Sequence, residues 1–266
     1  MSDNLSQEKL AELRDLFTEK VAEVKELPDR INDEFDKLRV VSFASYLLLT
    51  GTRDEMQEKL AELFDKLDQA VAGMFAPWLF VDYAAQWQAL GAQVGGVTGR
   101  LNRPEFNMDG NWDGSAYKAY TASKTAQLAA VDGIKGLCNS IHDELVAIAE
   151  EGRVLYTTIV NKLGTIAGEV GVALGESAAT GGAALVWTVN NMNSAIVAGV
   201  ELIVEAITGF VQVETKVYLA TQHLENMITN PAGMMVNAEG KSTWPTTESY
   251  EYDNQDDGWK QDGVEG

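Results

Sequence analysis

Cysteine is nearly absent from this chain: Cys138 is the only one in 266 residues, so no intrachain disulfide framework can form. Its place in an apolar helical stripe marks it as a small buried hydrophobe rather than a nucleophile. Histidine is almost as scarce, with His142 and His223 alone. A Cys/His zinc tetrad therefore cannot be built from spaced pairs, and no metal site is expected. Ser140, His142 and Asp143 lie close together on a predicted helix, where neighbours one and two apart point in different directions and form no proton relay. Both histidines read as solvated helix residues. There is no Walker-type phosphate loop, and Gly95-Gly96-Val97-Thr98-Gly99-Arg100 sits inside a helical stripe instead of following a strand. Carboxylates are abundant, but they read as solvated faces. No catalytic residue, cofactor site or enzymatic activity is expected.

Basic charge is also in short supply. Twenty Lys and Arg face 40 Asp and Glu, a formal net charge of −20, which a nucleic-acid backbone would repel. Anionic lipid surfaces would attract the chain only weakly, although apolar insertion can overcome that. The first ten residues are polar and acidic, without a basic n-region and an apolar h-region, so Sec export is not indicated. Strand-like alternation and Asn-Gly hairpin turns are missing, which points to an all-α fold.

The five prolines, Pro28, Pro77, Pro104, Pro231 and Pro245, divide the chain. Before Pro28, Leu10, Leu13, Phe17, Val21 and Val24 form one apolar helix face. A second helix carries Ile31, Phe35, Leu38 and the dense run 43–49. Gly51 reads as a helix stop, and Thr52-Arg53-Asp54-Glu55 as a capping box opening a helix with Met56, Leu60, Leu63, Leu67, Val71 and Met74. Pro77 either kinks that helix or begins a new one. Beyond it Phe80, Tyr83, Trp87, Leu90, Val94, Val97 and Leu101 alternate steps of three and four, the sharpest periodicity in the chain. This predicts a core face with Trp87 and Leu90 near the middle of a seam. Residues 102–111 read as a loop, after which the stripe resumes as Val131, Ile134, Cys138, Ile141, Leu145, Ile148, Leu155 and Ile159.

Two such helices joined by a short reversal bury their apolar faces against each other. The expected fold is an elongated antiparallel helical bundle built around a long helix-turn-helix hairpin. Its expected segments are an N-terminal helical hairpin (1–51), the long hairpin (52–163) with its turn at 102–114, a Gly/Ala-rich helical region (164–235), and a disordered acidic tail (236–266) that lacks hydrophobic period.

Between the two stripes stands Trp112-Asp113-Gly114-Ser115-Ala116-Tyr117-Lys118-Ala119-Tyr120. A glycine two residues after a large indole lets the backbone reverse without a β-carbon in the way. Ala116 and Ala119 then start the returning helix, with Tyr120 beside them. The stretch resembles the Trp-x-Gly (WXG) superfamily of substrates of the ESX, or type VII, secretion system, whose pattern is W-x-G-x-A-x-x-A-aromatic. The resemblance covers roughly residues 52–163, and the helices before Gly51 are similar to the extra module of larger, fused substrates. It implies leaderless export to the outside or the cell surface, and recognition of Trp112 and Gly114 by the secretion ATPase or a chaperone. It also implies action through a helical partner or a second copy. Tyr252 and Asp256 fit the Y-x-x-x-[DE] element that accompanies W-x-G in such substrates, though here it lies far downstream of the hairpin.

The region 165–210 lies outside the resemblance. Gly164, Gly168, Gly171, Gly175, Gly181, Gly182, Gly199 and Gly209 punctuate an Ala/Val/Ile-rich stretch, and no charged residue occurs between Glu176 and Glu201. That interval is long enough to cross a membrane, yet Asn190, Asn191 and Asn193 sit near its middle, where amides are costly in lipid. It reads as a tightly packed helix pair, as a conditionally membrane-active hairpin, or as a constitutive anchor. Three functions follow: a non-enzymatic exported ESX-type protein, an α-helical membrane-active or pore-forming protein using residues 165–210, and a cytoplasmic helical scaffold.

Overall fold

A computed structural model describes residues 5–109, 114–179 and 185–245, without the side chains of residues 115, 176–179, 185 and 210–217. The protein is an all-α helical bundle. Its helices are α1 (Gln7–Lys25), α2 (Leu27–Val41), α3 (Phe43–Gly73), α4 (Ala76–Leu101), α5 (Gly114–Ala179) and α6 (Leu185–Thr229). Among the described residues the strands are β1 (Met235–Val236) and β2 (Ser242–Thr243), which pair antiparallel. The described residues form two compact units, one from those within 1–81 and 147–216, the other from those within 82–146 and 217–266. Three helices, α4, α5 and α6, contribute to both.

The first unit is built from amphipathic helices whose apolar stripes have nowhere else to go. Ser6 caps α1, its hydroxyl accepting from the Lys9 amide at 3.2 Å, and Pro28 sits in the first turn of α2, where its missing donor costs nothing. Phe17 and Val24 of α1, Ile31 and Phe35 of α2, and Leu60, Leu63 and Leu67 of α3 are buried with Ile159, Leu163 and Ile166 of α5 and with Met192 and Ile196 of α6. The Gln57 amide donates to Pro28 O at 3.2 Å, and the Arg53 guanidinium lies 6.0 Å from the Phe35 ring centre, which fixes α3 antiparallel to α2. Gly199 faces Ile166 where a β-carbon would overlap the isoleucine, so α6 approaches α5 closely at that point.

The end of α3 is closed by a side chain from a distant part of the sequence. Its last carbonyls lack helical donors, and the Met74 amide turns to Val71 O. The buried Tyr156 hydroxyl donates to Ala70 O at 2.7 Å, and its ring meets Phe17 edge-on at 5.5 Å. Burial pushes the Tyr156 phenol from 10.0 up to about 12.

Helix boundaries differ from the sequence expectation at Gly51. α3 runs straight through it, and Thr52 to Glu55 form no capping box. A glycine inside a helix costs about 1 kcal/mol, and Leu49 and Met56, buried on either side in the same core, outweigh that cost. The real break is Ser42, extended at φ −152° and ψ 95°, whose hydroxyl accepts from the Ser45 amide at 3.3 Å. Of the dense apolar run, Leu49 is buried and Phe43, Leu47 and Leu48 are exposed. The expected boundaries at 51 and 163 therefore fall inside α3 and α5. Of the two roles left open for Pro77, the structure has it in the first turn of α4.

The second unit corrects the expected tail. Residues 236–245 belong to an ordered ribbon in which Asn237 Oδ1 accepts from the amides of Glu239 at 3.0 Å and Lys241 at 2.8 Å, while Gly240 takes a φ of +77°. Turn chemistry builds this segment, so a search for hydrophobic period passes over it. The segment before it lies backbone to backbone on α5: a β-carbon on Gly133 would overlap the Ala232 carbonyl, and one on Gly233, at φ +79°, would overlap Ala129. The Gln127 amide also donates to Pro245 O at 3.2 Å. Residues 246–266, the rest of the expected tail, lie outside the described residues.

Two outcomes follow. Gly133→Val should displace the ribbon at an overpacking cost of about 1–3 kcal/mol, seen as faster hydrogen exchange at Asn237 and Lys241 with the helical circular-dichroism signal unchanged. Tyr156→Phe should lower stability to urea by about 1–3 kcal/mol, because it leaves the buried Ala70 carbonyl without the hydroxyl. The raised folded-state value of Tyr156 means that its contribution is complete below pH 10 and is lost as the pH climbs toward about 12. Wild type should show that alkaline loss, and the phenylalanine variant should lack it.

Candidate functional site: the reversal between α4 and α5

The candidate site lies in the second unit, where α4 ends and α5 begins. The two helices run antiparallel there, because a β-carbon on Gly91 would lie 3.2 Å from Cys138 Cβ and one on Gly95 3.6 Å from the Lys135 stem. Ala84, Gly91, Ala130, Val131, Cys138 and Ile141 form the buried face. A helical hairpin was expected here, but its phase differs. Trp87 is half-buried and Leu90 is 42 % exposed, with Tyr83 and Val97 also facing solvent. Small side chains on α4 let the backbones approach closely, and the bulky stripe is rotated away from that contact. Leu90 is therefore not a seam residue.

Past α4 the chain is held by short-range bonds. The Asn102 amide donates to Thr98 O at 3.1 Å, Pro104–Phe106 form one 3₁₀ turn, and the Asp109 amide donates to Asn107 Oδ1 at 3.3 Å. The first turns of α5 reach back to this segment. The Tyr120 hydroxyl donates to Phe106 O at 2.8 Å, Lys124 Nζ donates to the same oxygen at 3.2 Å, and the Tyr117 hydroxyl donates to Asp109 Oδ1 at 3.4 Å. Gly114 opens α5 at φ +90°, a conformation that side chains rarely adopt, with open space where its β-carbon would be. Ala116 and Ala119 are half-buried beside Tyr117 and Tyr120.

Gly114, Ala116, Ala119 and Tyr120 are thus brought together at the start of one helix. Trp112, Tyr252 and Asp256 lie outside the described residues. The roles of Tyr117 and Lys124 were missed in the sequence, because their partners are a loop carbonyl and a loop carboxylate that no helical period marks.

The polar chemistry elsewhere is modest. His142 was expected to be solvated, but its side chain is 16 % exposed and its Nδ1 lies 2.9 Å from Asp143 Oδ1, since a carboxylate one residue on can curl back along the helix surface. His223 is exposed. Burial raises the Cys138 thiol above its ordinary value, which makes it a poor nucleophile. Among the described residues no group of three or more His, Cys, Asp or Glu is placed to hold a metal ion.

No family model, curated protein or solved structure matches this chain.

Replacing Gly114 by Ala should destabilise the start of α5 by about 1–2 kcal/mol through backbone strain alone. Amide exchange in residues 115–120 should accelerate, and Gly114→Asn, which tolerates positive φ better, should recover part of the loss.

Proposed function

We propose that this protein is a non-enzymatic substrate of an ESX, or type VII, secretion system, acting by helix–helix contact. The observation that carries the reading is Gly114 at φ +90°, opening a returning helix whose Tyr120 fastens the preceding loop. A glycine in this conformation at the start of a returning helix supports the reading, since the family resemblance calls for a tight reversal at that position. The secretion ATPase or a chaperone is the proposed partner for Trp112 and Gly114, and a leaderless route to the medium or cell surface the proposed destination. Tyr83, Leu90 and Val97, seven residues apart and exposed on α4, offer an apolar line to a helical partner or a second copy.

A second reading is favoured by one observation. In α6, Val186–Gly209 is long and apolar enough to cross a membrane, and only 22 % of its apolar window is buried. Its inner side, with Met192 and Ile196, is buried in the core, while Val186, Trp187 and Leu202 leave apolar surface exposed on the other side. This supports an α-helical membrane-active protein that uses residues 165–210, and it is compatible with export.

Trp112→Ala should reduce accumulation in the culture supernatant of an ESX-competent host by about tenfold, as expected when an aromatic anchor of a docking surface is lost. Cellular protein should remain helical by circular dichroism. Normal export of the variant would remove the functional content of the motif.

A further inference from the structure

Two stretches without charge meet at one end of the first unit. No Asp, Glu, Lys or Arg occurs between Arg39 and Arg53, and none between Glu176 and Glu201. Asn193 Nδ2 donates to Glu55 Oε2 at 3.0 Å, and farther along the same helices Lys59 and Glu62 line a groove with Val200 and Glu201. α3 and α6 therefore run parallel and in step. Leu48 precedes Glu55 by as many residues as Val186 precedes Asn193, so both lie about 10 Å toward the same end at 1.5 Å per residue. The α2–α3 corner and the start of α6 share one level.

What they present there is apolar and faces solvent. Val40 is 84 % exposed and Leu48 77 %, Phe43 and Leu47 are exposed beside them, and Trp187 is 57 % exposed at the start of α6. Phe43 stacks on Tyr46 with ring centres 6.1 Å apart. Exposed apolar residues from two elements distant in sequence, the α2–α3 corner and the start of α6, exceed the scatter of single exposed hydrophobics on any protein surface.

We propose that this end inserts into a zwitterionic lipid surface, with the α2–α3 corner and the start of α6 acting together. The proposal rests on the membrane-active reading and adds to it a second element, the lipid class and the surface of entry. Charge selects the occupant. The chain carries −20, yet residues 40–52 of the corner hold no charge and enter lipid without desolvating an ion, while the acidic remainder is repelled by anionic headgroups. Two copies meeting end to end would bring two such acidic bodies together, which disfavours a second copy as the occupant. The mixture of Trp, Phe and Tyr with Leu, Val, Ser and Thr is that of a bilayer interface, and the helix behind Trp187 is long enough to continue into the hydrocarbon.

Flotation of the intact protein with phosphatidylcholine vesicles tests this. Wild type should float. Leu48→Glu and Val40→Glu on the corner, and Trp187→Glu on α6, should each weaken binding by about tenfold or more, because each places a charge where hydrocarbon must be entered. Leu16→Glu, at an exposed apolar position on α1, should bind like wild type, and all variants should keep their helical signal. Failure of wild type to float overturns the membrane-active reading and the proposal together. Loss with Trp187→Glu but not with Leu48→Glu and Val40→Glu leaves that reading standing and overturns the shared surface. Tighter binding to phosphatidylserine vesicles, or self-association abolished by Leu48→Glu without lipid binding, overturns the choice of a zwitterionic membrane.

Discussion

Each helix of the first unit has an apolar side, and burial of that side against the others is the constraint on which the rest depends. α1, α2 and α3 carry too narrow a stripe to form a core among themselves, and α5 and α6 supply its other wall through Ile159, Leu163, Ile166, Met192 and Ile196. Burying one such side chain fully contributes roughly 1.5–3 kcal/mol, so the shared core overrides weaker local signals. Gly51 illustrates the balance: a favourable stopping residue is carried through α3 because stopping there would strand Leu49 and Met56.

Where packing follows side-chain bulk, the sequence is readable. The stripes of α1 and α2 and that of α3 from Met56 to Leu67 are buried as their spacing predicts. Where packing follows the absence of a side chain, bulk misleads. On α4 the close contact uses Ala84 and Gly91, so the heptad stripe through Tyr83, Leu90 and Val97 is turned outward although its period is sharp. Period establishes that a helix has an apolar face; it does not establish which neighbour, if any, covers it. The glycines of α5 and α6 show the same ambiguity. A β-carbon at Gly164, Gly168 or Gly171 would meet nothing within 4 Å, whereas Gly133 and Gly199 admit a backbone and an isoleucine side chain. Composition alone does not separate these cases.

The candidate site was legible in part, for a related reason. The reversal and its glycine could be placed because a positive φ has few sequence solutions. The bonds from Tyr117, Tyr120 and Lys124 to the loop could not, since they depend on where a loop carbonyl points. The ribbon at 235–243 was missed because its stability comes from Asn237 and from the room left by Gly133, neither of which produces a hydrophobic pattern.

The proposed function makes this acidic helical protein a molecule that works by being recognised and moved. The two proposals give the outward apolar surface on α4 and at the α2–α3 corner a role in binding after export. The most direct measurement is the distribution of intact wild-type protein between cells and medium, in a host with its ESX secretion ATPase and in the same host lacking it. The proposed function predicts accumulation in the medium only when the ATPase is present, with an intracellular lysis marker retained in both strains. Equal amounts in the medium of both strains, or retention of the protein in both, would contradict it.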